Sequence, residues 1–224
     1  MKYLRLSYPI DENSPVHIGL KKPVINPNYQ ISKGDAYNTH IITFENHSGT
    51  HIDAPAHFIP EGRNIMQYNT RELIFKKTLV LPIKKGEREL IEVKDIVNFD
   101  LNGVDCIFFK TGFGRYRESD REKYLTLNPG VSSEVMEYIR KNYPGVGCVG
   151  IDTVSISRFG DVENAVKSHV TAFKKKEDWG QPLLLIEDLN LNEISTDEVI
   201  KTLIVDPWQI RNIDSAPCSV IAQI

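Results

Sequence analysis

Four short apolar runs stand out along the chain, at residues 78–83, 104–109, 146–151 and 183–186, each bounded by charged residues, glycine or proline. They read as strands, and the continuous runs at 104–109 and 146–151 as strands buried on both faces. Between them the period changes. Val135, Met136, Ile139 and Tyr143 recur at three and four residues, Ser132 or Ser133 can cap, and Pro144-Gly145 stops the pattern, which predicts a helix. Residues 161–173 predict a second helix, capped by Asp161, with Val162, Ala165, Val166, His169 and Phe173 in one apolar stripe. Ser195 and Glu198 have the spacing of a capping box and predict a helix through Leu203. The alternating charges of residues 115–123 read as a solvated face. Residues 1–35 carry extended pieces broken by Pro9, Pro15, Pro23 and Pro27, and 39–45 read as a strand leading into the next stretch. With no internal repeat or linker, the pattern predicts one mixed α/β domain over residues 1–224, with a sheet core, flanking helices and a site at strand ends.

Composition narrows the function. A chain of 224 residues can build a sizeable core. Its net charge of −3 gives no reason to expect nucleic acid or an anionic membrane as partner. No apolar run approaches the roughly 20 residues of a membrane span, and the first residues lack a secretory hydrophobic region, so a cytoplasmic protein is expected. Cys106, Cys148 and Cys218 are too scattered for a disulfide framework or a CxxC site, and the first two are expected as buried thiols.

The chemistry concentrates in residues 46–58, Asn-His-Ser-Gly-Thr-His-Ile-Asp-Ala-Pro-Ala-His-Phe, where three of the six histidines fall. Imidazole and carboxylate are ligands that first-row divalent metals favour. A helix is disfavoured here by Gly49, by β-branched Thr50 and Ile52, and by Pro55. In an extended chain His51 and Asp53 point to the same side. A bend at Gly49 brings His47 back toward them, and a turn at Pro55 lets His57 face the same point.

The run from His47 to His57 resembles the HxGTHxDxPxH motif of the cyclase family of metal-dependent hydrolases, which includes bacterial arylformamidases (kynurenine formamidases) and isatin hydrolases. Every fixed position of the motif is matched. The segments at 4–15, 150–155 (Gly-Ile-Asp-Thr-Val-Ser), 187–189 (Glu-Asp-Leu) and 214–217 are similar to the family more sparsely. The chain departs from it at His17-Ile18-Gly19, in a surplus of residues at 174–181, and at Ser219, where an arginine is frequent. The resemblance implies a swivelling β/β/α arrangement and a homo-oligomer, a dimer or tetramer. It also implies a second ion held by His169 and reached by Asp53 and Glu187. Taken on the pattern alone, His169 is a helix residue on an apolar face, and Glu187 is a carboxylate delivered by a buried strand that needs a cation, a metal or hydrogen-bond donors.

The expectation is a hydrolase of small aryl or cyclic amides, arylformamidase-like, with one or two divalent ions, zinc first and manganese second. His47, His51 and Asp53 would hold an ion that polarises the carbonyl and activates a water. His57 has no required place among those ligands, and imidazole titrates near neutrality, so it suits general acid–base transfer. The same groups could run an elimination or cyclisation on a small carbonyl compound, or the chain could be a non-catalytic metal-binding relative. Asp152, at the end of the strand 146–151, suits either a helix or turn cap or a place near the site, and the resemblance at 150–155 favours the place near the site. Phe58, Phe113, Trp179 and Ile18 are the candidates for an apolar wall beside the substrate.

Overall fold

The apolar runs lie side by side in a computed structural model that describes residues 2–195 and 198–224. Nine strands form one sheet: β1 (Tyr3–Arg5), β2 (His51–Asp53), β3 (Ile74–Phe75), β4 (Thr78–Pro82), β5 (Cys106–Lys110), β6 (Cys148–Ile151), β7 (Leu184–Glu187), β8 (Thr202–Pro207) and β9 (Ser215–Gln223). Their order is β3-β8-β9-β2-β7-β6-β5-β4, with β1 also paired to β9. The two ends of this order, β3 and β4, are separated by only residues 76 and 77, and Thr78 bridges to Ile200. The sheet therefore nearly closes on itself.

β4, β5, β6 and β7 are parallel neighbours, and β2 enters antiparallel between β7 and β9. Parallel neighbours require crossovers. The predicted helices serve, α1 (Ser133–Asn142) between β5 and β6 and α2 (Val162–Phe173) between β6 and β7. The uninterrupted apolar run of β5 follows from this layering. Cys106 and Phe108 join a cluster with Ile52, Leu184, Leu203 and Val220, while Ile107 and Phe109 join Val135, Ile139 and Phe173 of the helices. Both faces are covered, so alternation disappears. All three cysteines are buried and free.

Several expectations are corrected. The helix expected over 195–203 has Thr196 and Asp197 outside the described residues. Glu198 does return its carboxylate to the Ser195 N–H, at 2.8 Å, but residues 198–201 are not helical and 202–207 are strand. Leu203 and Val205 are buried while Ile204 faces outward, a period of two, and six residues pair with β9. Sheet pairing satisfies that backbone better than a local capping signal could. In α2 the stripe is shorter than expected. Ser168, His169, Ala172 and Phe173 are buried, whereas Val162 and Val166 are exposed, because only the C-terminal half faces the packed layer.

The charged run 115–123 is also not all solvated, since Arg117 is buried. The strand at 39–45 is His40–Thr43, which pairs with Val24–Pro27 in a separate exposed ribbon. The surplus loop 174–181 is pinned to α1: the Arg140 guanidinium donates to the carbonyls of Thr171, Lys174 and Gly180 at 2.6, 2.8 and 2.9 Å. No helix among the described residues is long and apolar enough to cross a membrane.

Candidate metal centre

The 46–58 stretch folds as its residues dictate. Gly49 takes φ +63°, the left-handed bend that returns His47 toward the strand, and the Pro55–His57 3-10 turn follows β2 directly. β2 pairs on one side with β7, so that His51 stands opposite Glu187, and on the other with β9, so that Asp53 stands opposite Ser215. Sequence-distant groups thereby converge on the strand that carries the motif.

Two groups of metal-capable atoms result, each with its donor atoms within 4.8 Å of one another: His47, Asp53 and His57, and His51, Asp53 and Glu187. Asp53 belongs to both. His47 Nδ1 lies 3.1 Å from Asp53 Oδ1, and His51 Nε2 lies 3.5 Å from Asp53 and 3.4 Å from Glu187 Oε2. His169 stands at the edge, its Nε2 3.8 Å from Glu187 Oε1 and its ring stacked on Phe58 at 4.4 Å between centroids.

Each imidazole has one nitrogen tied to an oxygen outside the cluster. His51 Nδ1 donates to the Gly49 carbonyl at 2.9 Å and His169 Nδ1 to the Ala165 carbonyl at 2.8 Å. His47 Nε2 meets Asp214 at 3.0 Å, and His57 Nδ1 meets the same carboxylate at 2.8 Å. In the neutral ring an outer acceptor fixes the tautomer, which leaves the lone pair of the other nitrogen for a metal.

The donor set fits a divalent cation. His51 Nε2 and both oxygens of Asp53 are buried with no hydrogen-bond partner. A buried carboxylate left so is costly, and a metal ion is the group that satisfies several lone pairs at one point. Electrostatics agree. Burial pulls His47 down, but Asp53 and Asp214 more than reverse it and push the ring up to about 10. His51 is likewise raised against its burial by Asp53 and Glu187. Burial pushes Asp53 and Glu187 upward, yet the imidazoles hold both below the usual carboxylate range. His169 is lowered, chiefly by burial, which favours the neutral ring that ligates metals. Without an ion, protons take the positive charge's place.

The structure thus brings His47, His51, Asp53, His57 and Glu187 together and sets His169 beside them. Asp214, which sequence reasoning did not single out as a site residue, belongs with them. Its polar segment has no periodic pattern, and the register of β9 on β2 delivers it. Asp152 takes its turn role, accepting from the Thr111 and Gly112 amides at 2.9 Å each and from the Thr111 hydroxyl. Of the wall candidates only Phe58 reaches the cluster. Phe113 packs on Tyr116 and Tyr124, Trp179 lies against Lys176 and Arg140, and Ile18 is exposed.

Comparison with known proteins agrees with the motif. The Cyclase family model matches residues 4–158, more than half of the chain. The chain belongs to the Cyclase family. His169, Glu187 and Asp214 lie beyond the matched segment. Among relatives, the kynurenine formamidase of Bacillus cytotoxicus is 24% identical over 180 residues, 80% of this chain and 77% of that one. The kynurenine formamidase of Bacillus cereus is 20% identical over 220 residues, 98% of this chain and 96% of its own length. An isatin hydrolase solved with the product analogue thioisatinate superposes with a TM-score of 0.84 at 16% identity, covering 100% of this chain and 92% of its own. Isatin hydrolase A of Labrenzia aggregata superposes with a TM-score of 0.82 at 18% identity, over 99% and 93%. At these identities the superpositions establish the fold, the mixed α/β arrangement expected from the sequence.

Proposed function

We propose that this Cyclase family member is a metal-dependent hydrolase of small aryl or cyclic amides, arylformamidase-like in its chemistry. The observation that carries the reading is the set of buried His51 and Asp53 atoms that have no hydrogen-bond partner, flanked by imidazoles whose outer nitrogens are already tied. His47, His51 and Asp53 would hold one divalent ion, and His169 and Glu187, with Asp53 shared, a second. Zinc suits this His and carboxylate set first and manganese second. When bound, such an ion supplies Lewis acidity toward a carbonyl and lowers the pKa of a water toward ~7.

The chain's own residues supply the rest. His57 is partly exposed, and with Nδ1 engaged by Asp214 its Nε2 is the atom that carries a proton to the leaving nitrogen. Phe58 offers an aromatic face next to His169 against which a planar substrate can lie. The names of the relatives support an aryl amide or lactam as substrate. The outward Ile41 and Ile42 of the exposed ribbon support a homo-oligomer, since a two-stranded ribbon is marginal alone. The proposal includes a part in tryptophan catabolism and a cytoplasmic setting.

The test is kcat/KM for N-formylkynurenine, isatin and simple lactams and esters with the metal-loaded protein. Hydrolysis of at least one amide or lactam is expected. Inert amides together with elimination of water from a β-hydroxy acid would replace the hydrolase by a lyase.

A further inference from the structure

Glu187 reaches the donor cluster at the point where the chain turns, and a buried ion pair outside the cluster holds that turn. Asp188 is 1% exposed and takes φ +54°, a left-handed conformation uncommon for residues with a Cβ and best tolerated among them by Asp and Asn. Its carboxylate accepts from Arg117 Nε and Nη2, both at 2.8 Å, and from the Tyr124 hydroxyl at 2.6 Å. Arg117 is itself 3% exposed and its guanidinium lies 3.8 Å from the centroid of the Tyr8 ring. A planar fork on a carboxylate fixes orientation as well as charge.

The backbone of Asp188 joins the segments that build the site. Its N–H donates to the Thr153 carbonyl at 2.7 Å, and its carbonyl accepts from the Thr50 hydroxyl at 2.6 Å. Thr50 precedes His51. Thr153 opens the loop whose Ser155 hydroxyl and Ile156 N–H hold Glu187 Oε1 at 3.0 and 2.6 Å. The oxygens of Asp188 are already taken, so it is no ligand; Glu187, which precedes it, and His51, which follows its partner Thr50, are the candidates.

We infer that Arg117, Asp188 and Tyr124 are positioning residues for His51 and Glu187, locking the left-handed turn that aims both side chains at one point. The inference rests on the metal-centre reading. A glycine at 188 would reach the same φ without strain but would leave the turn unlocked, which separates the two requirements.

The experiment measures zinc affinity by chelator competition for the metal-free wild type and for Asp188→Gly, Asp188→Asn, Arg117→Lys and Tyr124→Phe. Circular dichroism and thermal melts run in parallel. Loss of outer partners of metal ligands costs roughly 10–100-fold in affinity. That loss is expected in folded Asp188→Gly and Arg117→Lys. A smaller loss is expected in Tyr124→Phe and in Asp188→Asn, which tolerates the turn and keeps one acceptor. Lower melting temperatures with unchanged zinc affinity would overturn the positioning role and leave a purely structural ion pair. A wild type that binds no zinc or manganese would overturn the metal-centre reading itself.

Discussion

One oxygen of Asp214 lies 2.8 Å from His57 Nδ1, and the same oxygen lies 3.0 Å from His47 Nε2. One carboxylate thus sets the tautomer of a candidate ligand and of the candidate proton carrier together. Asn46 holds its other oxygen at 2.9 Å, and the imidazoles hold Asp214 well below the usual carboxylate range despite partial burial. Asp214→Asn can present an amide N–H to either ring and invert that preference. A loss of roughly 10–100-fold in activity, in metal affinity, or in both is expected. Steady-state kinetics with metal titration check it; wild-type values for both would show Asp214 to be a bystander.

His57→Asn tests the proton carrier. Metal content should stay near that of the wild type while turnover falls on the order of 10²–10⁴, the usual worth of general acid–base catalysis. Loss of metal together with activity would make His57 a ligand, a role its grouping with His47 and Asp53 would then explain.

Glu187→Gln and His169→Ala address the second group. Both should lower metal stoichiometry or affinity, read by elemental analysis after dialysis. Unchanged binding in both would leave a centre built from the 47–53 stretch alone, with His169 a core histidine under Phe58.

These positions were unequally legible in the sequence. His47, His51, Asp53 and His57 sit in one stretch where glycine, proline and β-branched residues dictate the local path, so their convergence could be read without the sheet. Glu187 showed itself as a charge ending an apolar run. Asp214 did not, because it reaches His47 across 167 residues through strand register alone. Arg117 was hidden in a run of alternating charge whose burial depends on Asp188 and Tyr8. The helix expected from Ser195 through Leu203 runs into the strand that begins at Thr202, because a local capping signal is visible in sequence while pairing with β9 is not.

The electrostatics give a pH prediction. In the metal-free protein the His47 pKa is raised to about 10 by Asp53 and Asp214, so the ring is protonated at neutral pH and an ion must displace that proton. The sign follows: affinity rises with pH until the ring loses its proton near the raised value, and binding at neutral pH releases protons. Calorimetry of zinc binding in buffers of different ionisation enthalpy measures this. Binding heats independent of buffer would contradict it.

The most direct measurement is hydrolysis by a metal-free sample verified by elemental analysis, before and after adding back one ion at a time. The metal-centre account predicts no hydrolysis after chelation and recovery with zinc or manganese. Full activity in the verified metal-free protein would contradict the account at its centre.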